Sequence, residues 1–246
     1  MEQNIILSGV GGQGILSMSY MICQAALEKN WNVKQSEVHG MAQRGGAVSS
    51  HLRLSPKPIA SDLIAKGDCT LLISVEPLEA TRYLDFLAPT AAVVTSMTPY
   101  KNIPDYPDLA KVWEQLDRVH NLVPIDAEPL AKKAGSSLAQ NTVLLGAASL
   151  FLDFPAALLE AWLEKTWKAK GDRIVATNLE AFRNGRKMAA FLSSLSAESA
   201  PAEGIRFLSK QVPIEKADPA RASSWTVFLT NHRPESWAEK IQGQLA

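Results

Sequence analysis

Asn4-Ile5-Ile6-Leu7-Ser8-Gly9-Val10-Gly11-Gly12-Gln13-Gly14 opens the chain with an apolar run and a glycine-rich turn, and a helical pattern follows over residues 15–29. Strand, glycine turn and helix in that order aim backbone N–H groups at whatever lies over the turn. Proteins cradle phosphates and other anions in this way. A second stretch, Ser36-Glu37-Val38-His39-Gly40-Met41-Ala42-Gln43-Arg44-Gly45-Gly46, follows the next apolar segment. A generic nucleotide-binding protein has no reason to collect His, Gln, Arg and a glycine pair in one inter-strand loop.

Strand patterns fall at residues 5–9, 33–38, 47–54, 70–75, 91–96 and 122–125. Helical patterns fall at 15–29, 78–87, 129–134, 141–151, 155–168 and 175–195. Their alternation predicts a three-layer α/β/α Rossmann-like domain with a mainly parallel sheet. The link between 33–38 and 47–54 is too short for a parallel crossover, which takes a dozen or more residues. Those two strands are therefore expected to be antiparallel neighbours or to lie apart, which makes the sheet mixed. Residues 193–204, rich in Ser, Ala, Glu and Pro, read as a linker. Beyond it, 205–212 and 225–229 read as short extended pieces, with Trp237 and Ile241 in a terminal helix. The expected division is a domain over 1–192 and a linker with a C-terminal appendage over 193–246. About 40 residues is marginal for independent folding, so the appendage should pack on the domain or on a partner.

Composition narrows the function. The 246 residues hold 25 Lys+Arg and 25 Asp+Glu, so no global field favours nucleic acid. Two cysteines, Cys23 and Cys69, suit a reducing compartment and cannot supply the four thiolates a cubane cluster normally takes. The N-terminus enters a strand at once, and no apolar run approaches the ~20 residues of a membrane span. The expectation is a cytoplasmic protein with no membrane partner.

Residues 9–14 satisfy the dinucleotide pattern G-x-G-x-x-G, which also asks for an acid roughly 20 residues on. Glu37 lies late for that role, and the glycines Gly9, Gly11, Gly12 and Gly14 around Gln13 would equally serve a tight turn and close helix packing. His39 has no companion at metal-ligand spacing; a general base, a hydrogen-bonding clamp and plain loop structure all fit it. Arg44 offers a bidentate fork for an anion, or is a solvated loop residue. No nucleophile elbow is present.

Taken together, residues 9–14 and Glu37-Val38-His39-Gly40-Met41-Ala42-Gln43-Arg44-Gly45-Gly46 closely resemble the gamma-type domain of the 2-oxoacid:ferredoxin oxidoreductase superfamily. The His-Gly-Met-Ala-Gln-Arg-Gly-Gly form is similar to that of the branch acting on indolepyruvate. Residues 141–147 and 178–185 also resemble family segments, and the resemblance covers about residues 1–190. It implies a subunit that is inactive alone. The larger partner subunit would carry thiamine diphosphate, magnesium and iron–sulfur clusters, decarboxylate the 2-oxoacid to an acyl-CoA and reduce ferredoxin. In that reading this chain holds no metal; Gly9, Gly11, Gly12, Gln13 and Gly14 hold coenzyme A at the interface, and His39, Gln43 and Arg44 face the active site. Two other readings stay open at this stage: a stand-alone nicotinamide-dependent oxidoreductase using the same turn, and a non-enzymatic assembly or binding protein.

Overall fold

A computed structural model describes residues 2–39, 45–101 and 103–245. Six strands form one sheet: β1 (Gln3–Val10), β2 (Asn32–His39), β3 (Ala47–Ser55), β4 (Cys69–Ser74), β5 (Leu87–Ser96) and β6 (Asn121–Ile125), in the order β2-β3-β1-β4-β5-β6. β1, β4, β5 and β6 are mutually parallel, while β3 runs antiparallel to both of its neighbours, β1 and β2. Only β3 therefore opposes the common direction. The antiparallel pairing expected of the second and third strands is present, with Val38 opposite Ser49 and His39 opposite Val48.

The central strands are apolar on both sides because both faces are covered. Ile5, Leu7, Leu71, Ile73 and Val94 face one layer, which contains α1 (Ile15–Glu28), α4 (Ala127–Lys133), α5 (Gln140–Ala148), α6 (Ala156–Trp167) and α7 (Asp172–Ala197). Ile6, Leu72 and Val93 face a smaller layer built from α2 (Pro77–Thr81) and α3 (Leu109–Leu116). α5 and α7 cross without a side chain between them. A Cβ on Gly146 would lie 2.7 Å from the Phe182 carbonyl carbon, and one on Gly185 would lie 2.7 Å from that of Val143. Each helix thus rests its glycine on the other's backbone.

Several expectations need correction. The 78–87 helix stops at Thr81; a 3-10 turn follows over Leu84–Phe86, and Leu87 already pairs with Cys69 as strand. Extension of the sheet outweighs a helical leucine pattern there. α3 lies outside the helical patterns of the sequence, although Asp108 caps it by accepting the Ala110 N–H at 3.0 Å, and Val112, Trp113 and Leu116 form its buried stripe. Residues 193–204 are not a linker: α7 runs on to Ala197 with Leu195 fully buried, and only 198–201 lie outside helix.

The extended pieces expected in the tail are helices α8 (Ala202–Gln211) and α9 (Ala222–Asn231), followed by α10 (Pro234–Leu245). Their buried residues, Ile205 and Leu208, then Trp225, Phe228 and Leu229, recur at helical spacing. Pro and Gly between them mark helix ends and one close approach, since a Cβ on Gly204 would meet Leu229 Cδ1 at 2.6 Å. The tail joins the larger core, with Trp225 fully buried and edge-on to Phe191 at a centroid distance of 6.5 Å. Ser209 Oγ accepts the Asp126 N–H at 3.1 Å, tying α8 to the end of β6. No helix among the described residues is long and apolar enough to cross a membrane.

Candidate functional site at the carboxyl end of the sheet

β1 connects through α1 towards β2 on one side, and its parallel neighbour β4 lies on the other. The crevice beyond the carboxyl ends of β1 and β4 is a topological switch point, where open α/β sheets place ligands. The first glycine stretch forms a tight turn there. The Gln13 N–H donates to the Val10 carbonyl at 3.1 Å, Gly12 sits at φ 99° and Gly14 at φ 82°. Gln13 also closes the turn with its side chain, whose Oε1 accepts the Val10 N–H at 2.7 Å.

The two glycine stretches meet. The Gly11 N–H donates to the Gly46 carbonyl at 2.8 Å and the Gly45 N–H to the Gly11 carbonyl at 3.5 Å. Residues 45–46, and hence the end of the second stretch, are thereby held beside the first turn. Gln43 and Arg44 lie outside the described residues, as does the side chain of His39.

A cavity of about 920 Å³ opens over the turn. Gly12, Gln13, Gly14 and Ser17 form its floor, and Val75 and residues 98–100 one wall. Residues 135–141 and the start of α7, including Arg173, Ile174, Thr177 and Asn178, form the other, with Trp167 and Lys170 at the end of α6. Gly9 and Gly11 do not line it. Gly9 is buried in β1, where a Cβ would lie 2.9 Å from both Gln13 Oε1 and Ile15 Cδ1. Gly11 spends its backbone groups on Gly45 and Gly46. Gly14 faces Asn141 so closely that a Cβ would lie 3.0 Å from its Cγ.

The electrostatics favour an anion. α1 starts at Gly14 with no side-chain cap and no acid in its first turn, so its N-terminal N–H groups and dipole face the cavity. Among the described residues no Asp or Glu lines the cavity, and Lys170 and Arg173 do. Lys170 Nζ lies 4.5 Å over the Trp167 ring, and neither cation forms an ion pair with a described residue. The buried pair Thr142 and Asn178, at 2.8 Å, fixes α5 against α7 at the back of the site, and the Asn178 Nδ2 donates to the Ile174 carbonyl at 2.9 Å. Of the residues expected to hold a cofactor, Gly12, Gln13 and Gly14 line this cavity. Residues 135–140, Trp167, Lys170 and Arg173 were not among those expected, and only the family-like segments 141–147 and 178–185 stood as neighbouring signals for them.

A dinucleotide reading loses its geometry. β3 lies between β1 and β2, so Glu37 stands two strand spacings, roughly 10 Å, from β1. Its carboxylate accepts from the Gln35 side-chain amide instead, and it does not line the cavity. Cys23 and Cys69 lie in the cores on opposite faces of the sheet, and burial pushes both thiols up to about 12.

The fold, a mixed and mostly parallel sheet flanked by helices, is one seen in solved oxoacid ferredoxin oxidoreductase subunits. At that fold level the chain is similar to the pyruvate oxidoreductase subunit PORC of Thermotoga maritima, with TM-score 0.57 and 20% identity over 76% of this chain and 96% of that one. It is also similar to a 2-oxoglutarate:ferredoxin oxidoreductase of Magnetococcus marinus, with TM-score 0.59 and 24% identity over 76% of this chain. There it corresponds to only 31% of a longer polypeptide, which was solved with 2-oxoglutarate, coenzyme A and succinyl-CoA bound. Residues 4–188 match the pyruvate ferredoxin/flavodoxin oxidoreductase family. In sequence the chain is 38% identical over 197 residues to the indolepyruvate oxidoreductase subunit IorB of Methanothermobacter thermautotrophicus, covering 77% of this chain and 99% of that protein. It is 36% identical over 200 residues to the IorB of Archaeoglobus fulgidus, covering 77% and 96%. The chain belongs to the pyruvate ferredoxin/flavodoxin oxidoreductase family and is a small subunit of an enzyme of that kind. The stand-alone nicotinamide and non-enzymatic readings are not favoured.

Proposed function

We propose that this chain, in the cytoplasm, completes an indolepyruvate:ferredoxin oxidoreductase by binding coenzyme A against a larger catalytic subunit. The observation that carries the reading is the acid-free cavity at the switch point, with the α1 N-terminus, Lys170 and Arg173 directed to it. Coenzyme A is a polyanion with an aromatic base and a long, mostly apolar arm. Gly12, Gln13, Gly14 and the α1 N-terminus would hold phosphate, Lys170 and Arg173 would add charge, and Trp167, Leu138 and Ile174 offer apolar surface. Bound there, the coenzyme supplies the thiol that accepts the acyl group. Gly9 and Gly11 serve by building the turn.

Thiamine diphosphate, magnesium and iron–sulfur clusters belong to the partner in this reading, since the two thiols here are buried on opposite faces of the sheet. Ferredoxin is then reached through the assembled complex. The stretch from His39, at the end of β2, through Gln43 and Arg44 would face the partner's active site, with Arg44 serving a carboxylate or phosphate. The unit that does this runs on past residue 192 to the end of α7, and helices α8 to α10 buttress its α7–β6 side.

Co-expression with the larger subunit tests the proposal. The expected result is a coloured complex that turns over indolepyruvate only with both chains and coenzyme A. In it, Arg44→Lys should lower turnover by roughly tenfold without loss of assembly, the value of one bidentate charged contact. Full turnover by the larger subunit alone would overturn the assignment.

A further inference from the structure

Glu76 stands out as a nearly fully buried carboxylate, 1% exposed, at the carboxyl end of β4 beside the cavity it does not line. It is held in place from below: the Ser74 hydroxyl donates to its backbone carbonyl at 2.6 Å, and Ser8 donates to Ser74 at 2.9 Å. One carboxylate oxygen accepts the Glu79 N–H at 2.8 Å and caps α2. The other accepts the Tyr100 N–H at 3.3 Å and the Tyr106 hydroxyl. These two donors belong to the strap between β5 and α3, whose residues 98–100 form a cavity wall and whose Tyr100 ring is half exposed.

We propose that Glu76 is a positioning residue: its carboxylate holds the strap at Tyr100 and Tyr106 and so sets the wall of residues 98–100 against which the cavity's ligand is held. The proposal rests on the reading that the cavity takes coenzyme A. A buried carboxylate needs its donors, because burying a charge without them is costly. Among the described residues two of its three donors, Tyr100 and Tyr106, come from the strap, so the carboxylate is satisfied only when the wall is in place. Burial and the bond to Glu76 both push the Tyr106 hydroxyl up, which keeps it a donor across the working pH range. The neighbouring Glu79 does not compete for the strap, since its carboxylate pairs with Arg82 at 2.9 Å.

The test uses the assembled enzyme and two variants. Glu76→Gln disturbs both the α2 cap and the strap, while Tyr106→Phe removes one strap bond and leaves the cap. Amide exchange in both should quicken at 98–108, by about tenfold in Tyr106→Phe, the size expected for one hydrogen bond to a charged group. β4, β5 and subunit assembly should stay unchanged. KM for coenzyme A should rise by a similar factor with kcat unchanged. Unaltered exchange at 98–108 in both variants would overturn the anchoring, and a loosened strap with wild-type KM would overturn its role in binding. The underlying cavity reading fails separately, if coenzyme A protects neither 12–14 nor 98–100 in the wild-type enzyme, and the binding role fails with it.

Discussion

Replacing Gly146 by Ala should destabilise the protein, although alanine is the better helix former. A Cβ there would lie 2.7 Å from the carbonyl carbon of Phe182 and 2.9 Å from its Cα, against an ordinary carbon–carbon contact of roughly 3.5–4.0 Å. The obstacle is helix backbone, which cannot rotate aside as a side chain would, so α5 and α7 must part by about 1 Å. Overpacking of a tight core costs about 1–3 kcal/mol, and the rigid neighbour places this case near the top of that range. Helix propensity returns about 1 kcal/mol, leaving a net loss of about 2 kcal/mol. For a chain of this length that is a fall in Tm of roughly 4–8 °C. Urea unfolding monitored by circular dichroism should show a lower midpoint with an unchanged m-value. Gly185→Ala, whose Cβ would meet Val143 in the same way, should behave alike. The double variant should lose less than the sum, because the first separation makes room for the second methyl. Gly243→Ala in α10 is the control: nothing lies within 4 Å of its Cβ, so propensity alone acts and stability should rise by up to about 1 kcal/mol. Gly146→Ala at or above wild-type stability would refute the backbone-on-backbone account of this crossing.

Charge reversal at the cavity, Lys170→Glu with Arg173→Glu, should raise KM for coenzyme A by roughly ten- to a hundredfold, at about 1 kcal/mol or more per charge at a partly solvated site. The effect should shrink in high salt, and a salt-independent change would point to misfolding instead. With both thiols pushed up to about 12, under about 0.1% is thiolate at pH 8, so a thiol reagent should titrate none in the native chain and two after denaturation. Rapid native labelling would show that one of the cores opens.

Much of the architecture was legible because it is written at short range. The fully apolar run 5–7, the glycine turn at 11–14 and the short link between residues 38 and 47 each constrain their own neighbourhood. With the alternation of strand and helix patterns they point to a mixed sheet and to the antiparallel β2–β3 pair, whereas the second antiparallel pair, β1 with β3, shows only in the folded sheet. The tail departs from its extended pattern for a local reason too: Pro201, Gly204, Pro213 and Pro219 look like loop punctuation, whereas the buried stripes of α8 and α9 show their period only against α7 and β6.

The site divides along the same line. Gly12, Gln13 and Gly14 could be found from sequence because a turn is set by a few adjacent residues. That Gln13 spends its carbonyl on Val10, and that Gly11 is bonded to Gly45 and Gly46, could not. Nor could the meeting of Trp167, Lys170 and Arg173 with a turn more than 150 residues earlier. That meeting depends on Gly146 and Gly185 letting α5 and α7 touch backbone to backbone, which carries the start of α7 over the end of β1. A sequence displays two glycines in two helical patterns; only the packed helices show that each is where the other's carbonyl must go.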